Sequence, residues 1–137
     1  RPSDHLYVRC GRFFSKDDKG EKTIEVLNLN DEVNLLRSRF EVCQYCEERL
    51  RDCKYWMRKS VAPEDYREVA RLFTAVLRRG LPDWEYSATV ATFLMCEQQD
   101  LVEEIEQQLR AWELWDEHLA AAKQTLVSVA MPAPHRK

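Results

Sequence analysis

The thiols and imidazoles are the first places to look for chemistry in this chain. Cys43-Gln44-Tyr45-Cys46 is a CxxC, and Cys53 follows seven residues after its second cysteine. Three thiolates and one further ligand would suit tetrahedral zinc, and His5, Cys10, Cys96 and His118 are the candidates for the fourth place. The same spacing has a plainer reading. Cys43, Cys46 and Cys53 share a helical stripe with Leu36, Phe40, Leu50 and Met57, and buried cysteine behaves as a small apolar side chain. No Gly or Pro near the CxxC supplies the turn that a zinc knuckle uses. Core packing is therefore the preferred reading, with a zinc-stabilised domain as the alternative and redox chemistry behind it; no cofactor is expected. Five cysteines in all is an odd number, which points to a reducing compartment and an intracellular protein, nuclear or cytoplasmic.

The other signatures of catalysis are missing. The three histidines stand far apart, with no acid or nucleophile at motif spacing. No Walker loop, GxGxxG, HExxH or GxSxG is present. Asp17-Asp18-Lys19-Gly20 lacks the alternating acids and terminal Glu of a calcium loop. With three glycines in the chain, backbone cradles for phosphate are hard to build. No enzymatic activity is expected.

Charge and aromatic residues say more. The 137 residues carry 21 Lys+Arg against 24 Asp+Glu, a net charge of −3, which argues against wholesale binding to nucleic acid or acidic lipid. The distribution is uneven: residues 49–79 hold nine basic side chains against four acids, and residues 97–117 hold eight acids against Arg110. Solvated faces pairing across helices would account for this. A molecule with a basic and an acidic pole, each open to a partner, is the sharper reading. Arg49, Arg58, Lys59, Arg78 and Arg79, with Tyr55 and Trp56 among them, form a candidate phosphate-and-stacking patch. Tyr45 and Trp56 share a face of their helix with Val42, turned away from Leu36, Phe40 and Leu50. Trp115 leaves the stripe drawn by Leu109, Trp112 and Leu119. These three, with Phe13 and Phe14 at a strand edge, are the candidate protein-interface anchors, because Trp and Tyr dominate binding hot spots.

The elements that must position these groups follow from periodicity. Residues 5–14 (HLYVRCGRFF) and 23–29 (TIEVLNL) are rich in β-branched and aromatic residues, and predict a hairpin over 5–29 with a charged tip at 15–22 and Gly20 at positive φ. Helices are predicted near 31–59, capped by Asn30, and near 63–79, started by Pro63 and closed by Gly80. Further helices are predicted near 83–97, with Trp84, Val90, Ala91 and Leu94 inward, and near 101–128, with no break inside. Residues 131–137, with two prolines, predict a mobile tail. Short connections favour antiparallel neighbours. The expectation is a single domain over 1–130: mainly α, an antiparallel helical bundle of about four helices with an N-terminal β-hairpin. No apolar run approaches the ~18 residues of a membrane span, and Arg1-Pro2-Ser3-Asp4 opens no signal-peptide pattern.

One family resemblance accompanies this reading. Leu27 to Leu36, with the helix start Asn30-Asp31-Glu32-Val33-Asn34-Leu35-Leu36, and the stretch from Arg67 to Leu94 with Glu68-Val69 and Glu85, resemble the helical stalk subunit of nuclear and archaeal RNA polymerases. That family's helical region usually carries a proline where Cys96-Glu97 stands here, and the resemblance does not cover the hairpin. It implies a nucleic-acid-associated module. The main expectation is a non-catalytic protein–protein interaction domain of a larger intracellular assembly, its partner another protein or a second copy, with nucleic acid the alternative and no membrane contact.

Overall fold

The computed structural model of the chain describes residues 5–9, 12–27 and 35–132. The chain opens with two antiparallel strands, β1 (Leu6–Arg9) and β2 (Arg12–Ser15), in the register Leu6↔Ser15, Tyr7↔Phe14, Val8↔Phe13 and Arg9↔Arg12. Residues 10 and 11, between the strands, lie outside the described part. The hairpin is 6–15 and not 5–29. The expected second strand, from Thr23, is instead helix α1 (Asp18–Leu27), and residues 28 and 29 lie outside the described part. Asp17 decides the outcome: its Oδ1 accepts from Gly20 N–H at 2.8 Å, an N-cap, and Asp18 and Glu21 complement the helix dipole in the first turn. The β-branched Thr23, Ile24 and Val26 are overruled by that start. Gly20 is accordingly helical, not a positive-φ tip. It matters for another reason: a Cβ there would lie 2.0 Å from the His5 carbonyl oxygen.

Helix α2 (Arg37–Lys59) is the longest element, entered through a π-helical turn at residues 35–36; the expected cap Asn30 and the start at 31 lie outside the described residues. Ser60 and Ala62 are extended, Pro63 occupies the first turn of α3 (Pro63–Arg78), and Glu64 and Asp65 follow it, as the sequence predicts. Gly80, just past α3, sits where a Cβ would lie 2.2 Å from Leu126 Cδ2, so a side chain there requires Leu126 to shift.

The predicted helix 83–97 starts late. Residues 79–86 form a loop, and α4 (Ser87–Thr92) runs into a π-helical turn, Phe93–Glu97. Trp84 thus sits on the loop, exposed, whereas Val90, Ala91 and Leu94 are buried as expected. The expected unbroken helix 101–128 is two helices, α5 (Gln99–Ala111) and α6 (Glu117–Val129). Between them Glu113 adopts φ 59°, its N–H donates to Arg110 O, and Leu114 N–H reaches back to Leu109 O at 2.8 Å. This is a Schellman ending with Glu in the place usually held by Gly. Asp116 then caps α6 by accepting from Leu119 N–H at 2.9 Å.

The whole is mainly helical, a helical bundle with an N-terminal hairpin packed against it. The principal core, drawn from helices α2 through α6, is built on Leu50, Phe73, Leu77, Leu94, Ile105 and Leu109. A smaller cluster of Leu6, Val8 and Met131, with Phe13, Ile24 and Ala88 against it, seats the hairpin. Met131 is no part of a mobile tail: its N–H donates to Thr92 Oγ1 and its carbonyl accepts from Val8 N–H, both at 2.8 Å. Residues 133–137 lie outside the described part.

Candidate functional site

Helix α2 sorts the candidate residues by the angle at which each leaves the helix. Its inner side is Cys43, Cys46, Leu50 and Cys53, all buried, with Met57 packed on the same core. Burial pushes the Cys46 thiol up to about 11, with Arg79 pulling the other way. Burial also pushes Cys53 up to about 12, reinforced by Asp52 and Glu68. Cys53 Sγ–H points at Val69 O, 3.9 Å away. These are protonated packing groups at neutral pH, not thiolates. Among the described residues no three His, Cys, Asp or Glu side chains are grouped to hold a metal ion. Of the fourth-ligand candidates, His5 pairs with Asp17 at 2.8 Å, Cys96 and His118 are exposed, and Cys10 lies outside the described residues.

Phe40 departs from the predicted stripe and is 58% exposed. At that level of α2 the inward seat belongs to Arg39, which is buried with its guanidinium 4.6 Å from the centre of the Phe13 ring. The hairpin packs there, and an arginine's flat face covers an aromatic ring at little cost in hydrogen bonding. Phe40 is left beside a groove of about 290 Å³ shared with Gln44, Arg51 and Phe93.

The C-terminal end of α2 presents a contiguous aromatic surface. Tyr55 and Trp56 meet edge to face with centroids 5.7 Å apart. Ser60 hydroxyl donates to Trp56 O and so holds the chain that leads to the exposed Val61. Arg58 and Lys59 are exposed next to this pair. The sequence placed Trp56 and Tyr55 in candidate sets but passed over Val61, whose sole signal is an apolar residue in the connection between two strongly patterned helices.

Tyr45, on the same side of α2, is only half exposed. The Arg49 guanidinium lies 5.4 Å and that of Arg79 5.0 Å from its ring centre. Arg79 also stacks on Trp84 at 4.6 Å. Tyr45, Arg79 and Trp84 border a pocket of about 470 Å³ between α2 and the 79–86 loop, to which Glu41, Glu85 and Tyr86 contribute. Tyr86 stands at φ 61°, a conformation costly for a bulky side chain. Trp84 and Tyr86 were beyond the sequence reading because a continuous helix from 83 would have turned Trp84 inward; the Leu81-Pro82-Asp83 run was the signal for a loop.

The remaining anchors are scattered. Phe14 is exposed and stacked on Tyr7 at 5.3 Å, and Phe13 is half-buried. Trp115 packs on the core between Phe73 and the Arg110 guanidinium, with its indole N–H buried and no acceptor among the described residues. Of the five candidate basic residues, Arg58, Lys59 and Arg78 are exposed, Arg49 lies 3.3 Å from the Asp52 carboxylate, and Arg79 is taken up in ring stacking. The structure thus brings Arg49, Arg79 and Tyr45 together and leaves Arg58, Lys59 and Trp56 at the other end of the helix. In the acidic stretch, Glu106 is the one carboxylate that goes inside, bonded to Lys123 and Arg110.

No described helix is long and apolar enough to cross a membrane. Comparison of the chain with protein-family models, with curated proteins and with solved structures finds no match in any of the three. The polymerase-stalk resemblance thus rests on its short segments, of which 30–34 lie outside the described residues.

Proposed function

We propose that this chain is a non-catalytic protein–protein interaction domain that serves inside the cell, in nucleus or cytoplasm, as one component of a larger assembly. One observation carries the reading: Tyr55, Trp56 and Val61, at the α2–α3 turn, are 57%, 36% and 88% exposed. Large apolar side chains grouped at one end of a folded domain mark an interaction site, and an aromatic pair of this kind is the usual anchor. Arg58 and Lys59 supply the polar rim that such a patch needs.

The test is binding by wild type and by Trp56→Asp, with circular dichroism to confirm that the exposed substitution leaves the fold intact. The wild type is expected to retain a discrete partner from cell extract, or to dimerise by light scattering, and the variant to lose that association. Removing a hot-spot anchor costs about 2 kcal/mol or more, roughly a 30-fold weakening. A monomeric wild type whose retained proteins are unchanged by Trp56→Asp would overturn the reading.

A second reading has its own support. Arg58 and Lys59 flank Tyr55 and Trp56 and make no ion pair among the described residues, an arrangement of phosphate contacts beside stacking rings that suits single-stranded nucleic acid. It predicts affinity that falls steeply with salt and weakens when Arg58 and Lys59 are neutralised.

A further inference from the structure

The pocket between α2 and the 79–86 loop lies apart from the Tyr55–Trp56 patch, and its chemistry differs. The Arg79 guanidinium lies over the rings of both Tyr45 and Trp84, 5.0 and 4.6 Å from their centres. The edge of a guanidinium carries five N–H donors; among the described residues the Arg79 guanidinium makes no hydrogen bond or ion pair, while its backbone N–H donates to Val76 O at 3.1 Å. Glu41 and Glu85, both exposed, border the same pocket. A simple anion entering here would meet one cation and two carboxylates. A simple cation would meet Arg79. The ligand that suits the pocket is uncharged at its buried end, flat enough to lie against rings, and provided with acceptors on one edge and donors on the next.

Guanine has that pattern. Its O6 and N7 accept from an arginine in the commonest specific contact made to any base, and its N1–H and exocyclic N2–H₂ are matched donors for one carboxylate. Adenine sets a donor beside N7 and cannot take a bidentate arginine, and cytosine offers a smaller stacking face. Trp84 and Tyr86 supply aromatic surface of the kind on which unstacked bases rest. The cavity, about 470 Å³, falls in the range of small-molecule sites. Tyr86 is held at φ 61° and ψ 28°, and strain of this sort collects where a side chain must be aimed. We propose that this pocket binds a guanine base, with Arg79 on the O6/N7 edge, Glu41 or Glu85 on the N1/N2 edge, and Trp84 as the stacking surface. The base can arrive on a free nucleotide or at an unpaired position of RNA.

The experiment is titration calorimetry with GMP, IMP, AMP and CMP, and with a trinucleotide ending in guanosine. GMP is expected to bind about tenfold or more tighter than AMP and CMP, the size of one bidentate pair. IMP, which lacks the N2 amino group, should fall between. Trp84→Ala should weaken GMP about tenfold or more, and the double variant Glu41→Gln, Glu85→Gln should erase the difference between GMP and IMP; both changes are at exposed positions, and circular dichroism checks the fold. Trp56→Asp should leave GMP affinity unchanged, which separates this site from the docking patch. A trinucleotide that binds much tighter than GMP identifies RNA as the source, and equal affinities identify the nucleotide. Equal affinity for GMP and AMP, binding indifferent to Trp84→Ala, or no binding of either guanine ligand at millimolar concentration would overturn the proposal.

Discussion

Glu106 shows what an individual residue contributes that its type does not announce. It is 7% exposed, and burial by itself would raise its pKa. Hydrogen bonds from Lys123 and Arg110 more than offset this and hold the carboxyl below its ordinary value. A carboxylate depressed in the folded state stabilises the protein above the unfolded-chain value of about 4.3, and that stability is lost as pH falls through the folded value. Glu106→Gln is therefore expected to lower stability at pH 7 by about 1–3 kcal/mol. Urea melts at pH 7 and pH 3 check this: wild type should lose more of its midpoint on acidification than the variant, and equal losses would remove Glu106 from the acid response. From sequence, Glu106 was one of eight acids between 97 and 117. Its distinction is that Lys123, seventeen positions on, comes back against it once the chain breaks after Trp112. The cysteines behave oppositely. Cys43, Cys46 and Cys53 were legible as core because their spacing repeats the helix period, and a period is local.

Among the elements, glycine and proline are the sequence's marks of helix ends, and three ends here use other means. Asp17 begins α1 inside a stretch of strand-like composition. Tyr86 and Glu113 take the left-handed conformation that glycine usually supplies. For an L-residue that conformation costs roughly 1–2 kcal/mol. Glu113, exposed and bonded here through its backbone, is the clean place to measure it. Glu113→Gly is expected to stabilise the domain by about 1 kcal/mol, raising Tm by roughly 3 °C; an unchanged or lower Tm would mean that the Glu side chain contributes something to the α5–α6 turn beyond its backbone. Gly80 illustrates the reverse case. Its position after α3 is visible in the sequence, but what crowds a side chain there is Leu126, on a helix 46 residues later.

For the whole molecule, the division into two apolar clusters sets how the fold should open. The hairpin and α1 rest on a small cluster and on the bonds that run from Val8 through Met131 to Thr92. Thr92 is a junction, its hydroxyl accepting from Met131 N–H and donating to Ala88 O at 2.7 Å. Thr92→Val keeps the shape and removes both bonds, leaving a buried N–H without its acceptor, a loss of about 1–3 kcal/mol. Hydrogen exchange is expected to show the Val8 and Met131 amides losing protection while those of α3 keep theirs. Equal losses in both would mean that hairpin and helices open as one unit. The separation of the Tyr55–Trp56 patch from the Tyr45–Arg79 pocket is likewise a property of the whole: both lie along one helix, and the 79–86 loop covers only one end of it.

Sequence alone determined the helical class, the presence of an N-terminal hairpin, the inward stripe of α2 and the proline-led start of α3. Each depends on residues within a turn or two of one another, where periodicity and capping act directly. The tertiary structure decided which aromatic residues stay outside, where Arg39 displaces Phe40 from the inner face, how the chain after α6 fastens the hairpin, and that Arg79 meets Tyr45 and Trp84 at one pocket. Those outcomes depend on which distant segment occupies the space against a side chain, and no local pattern carries that information.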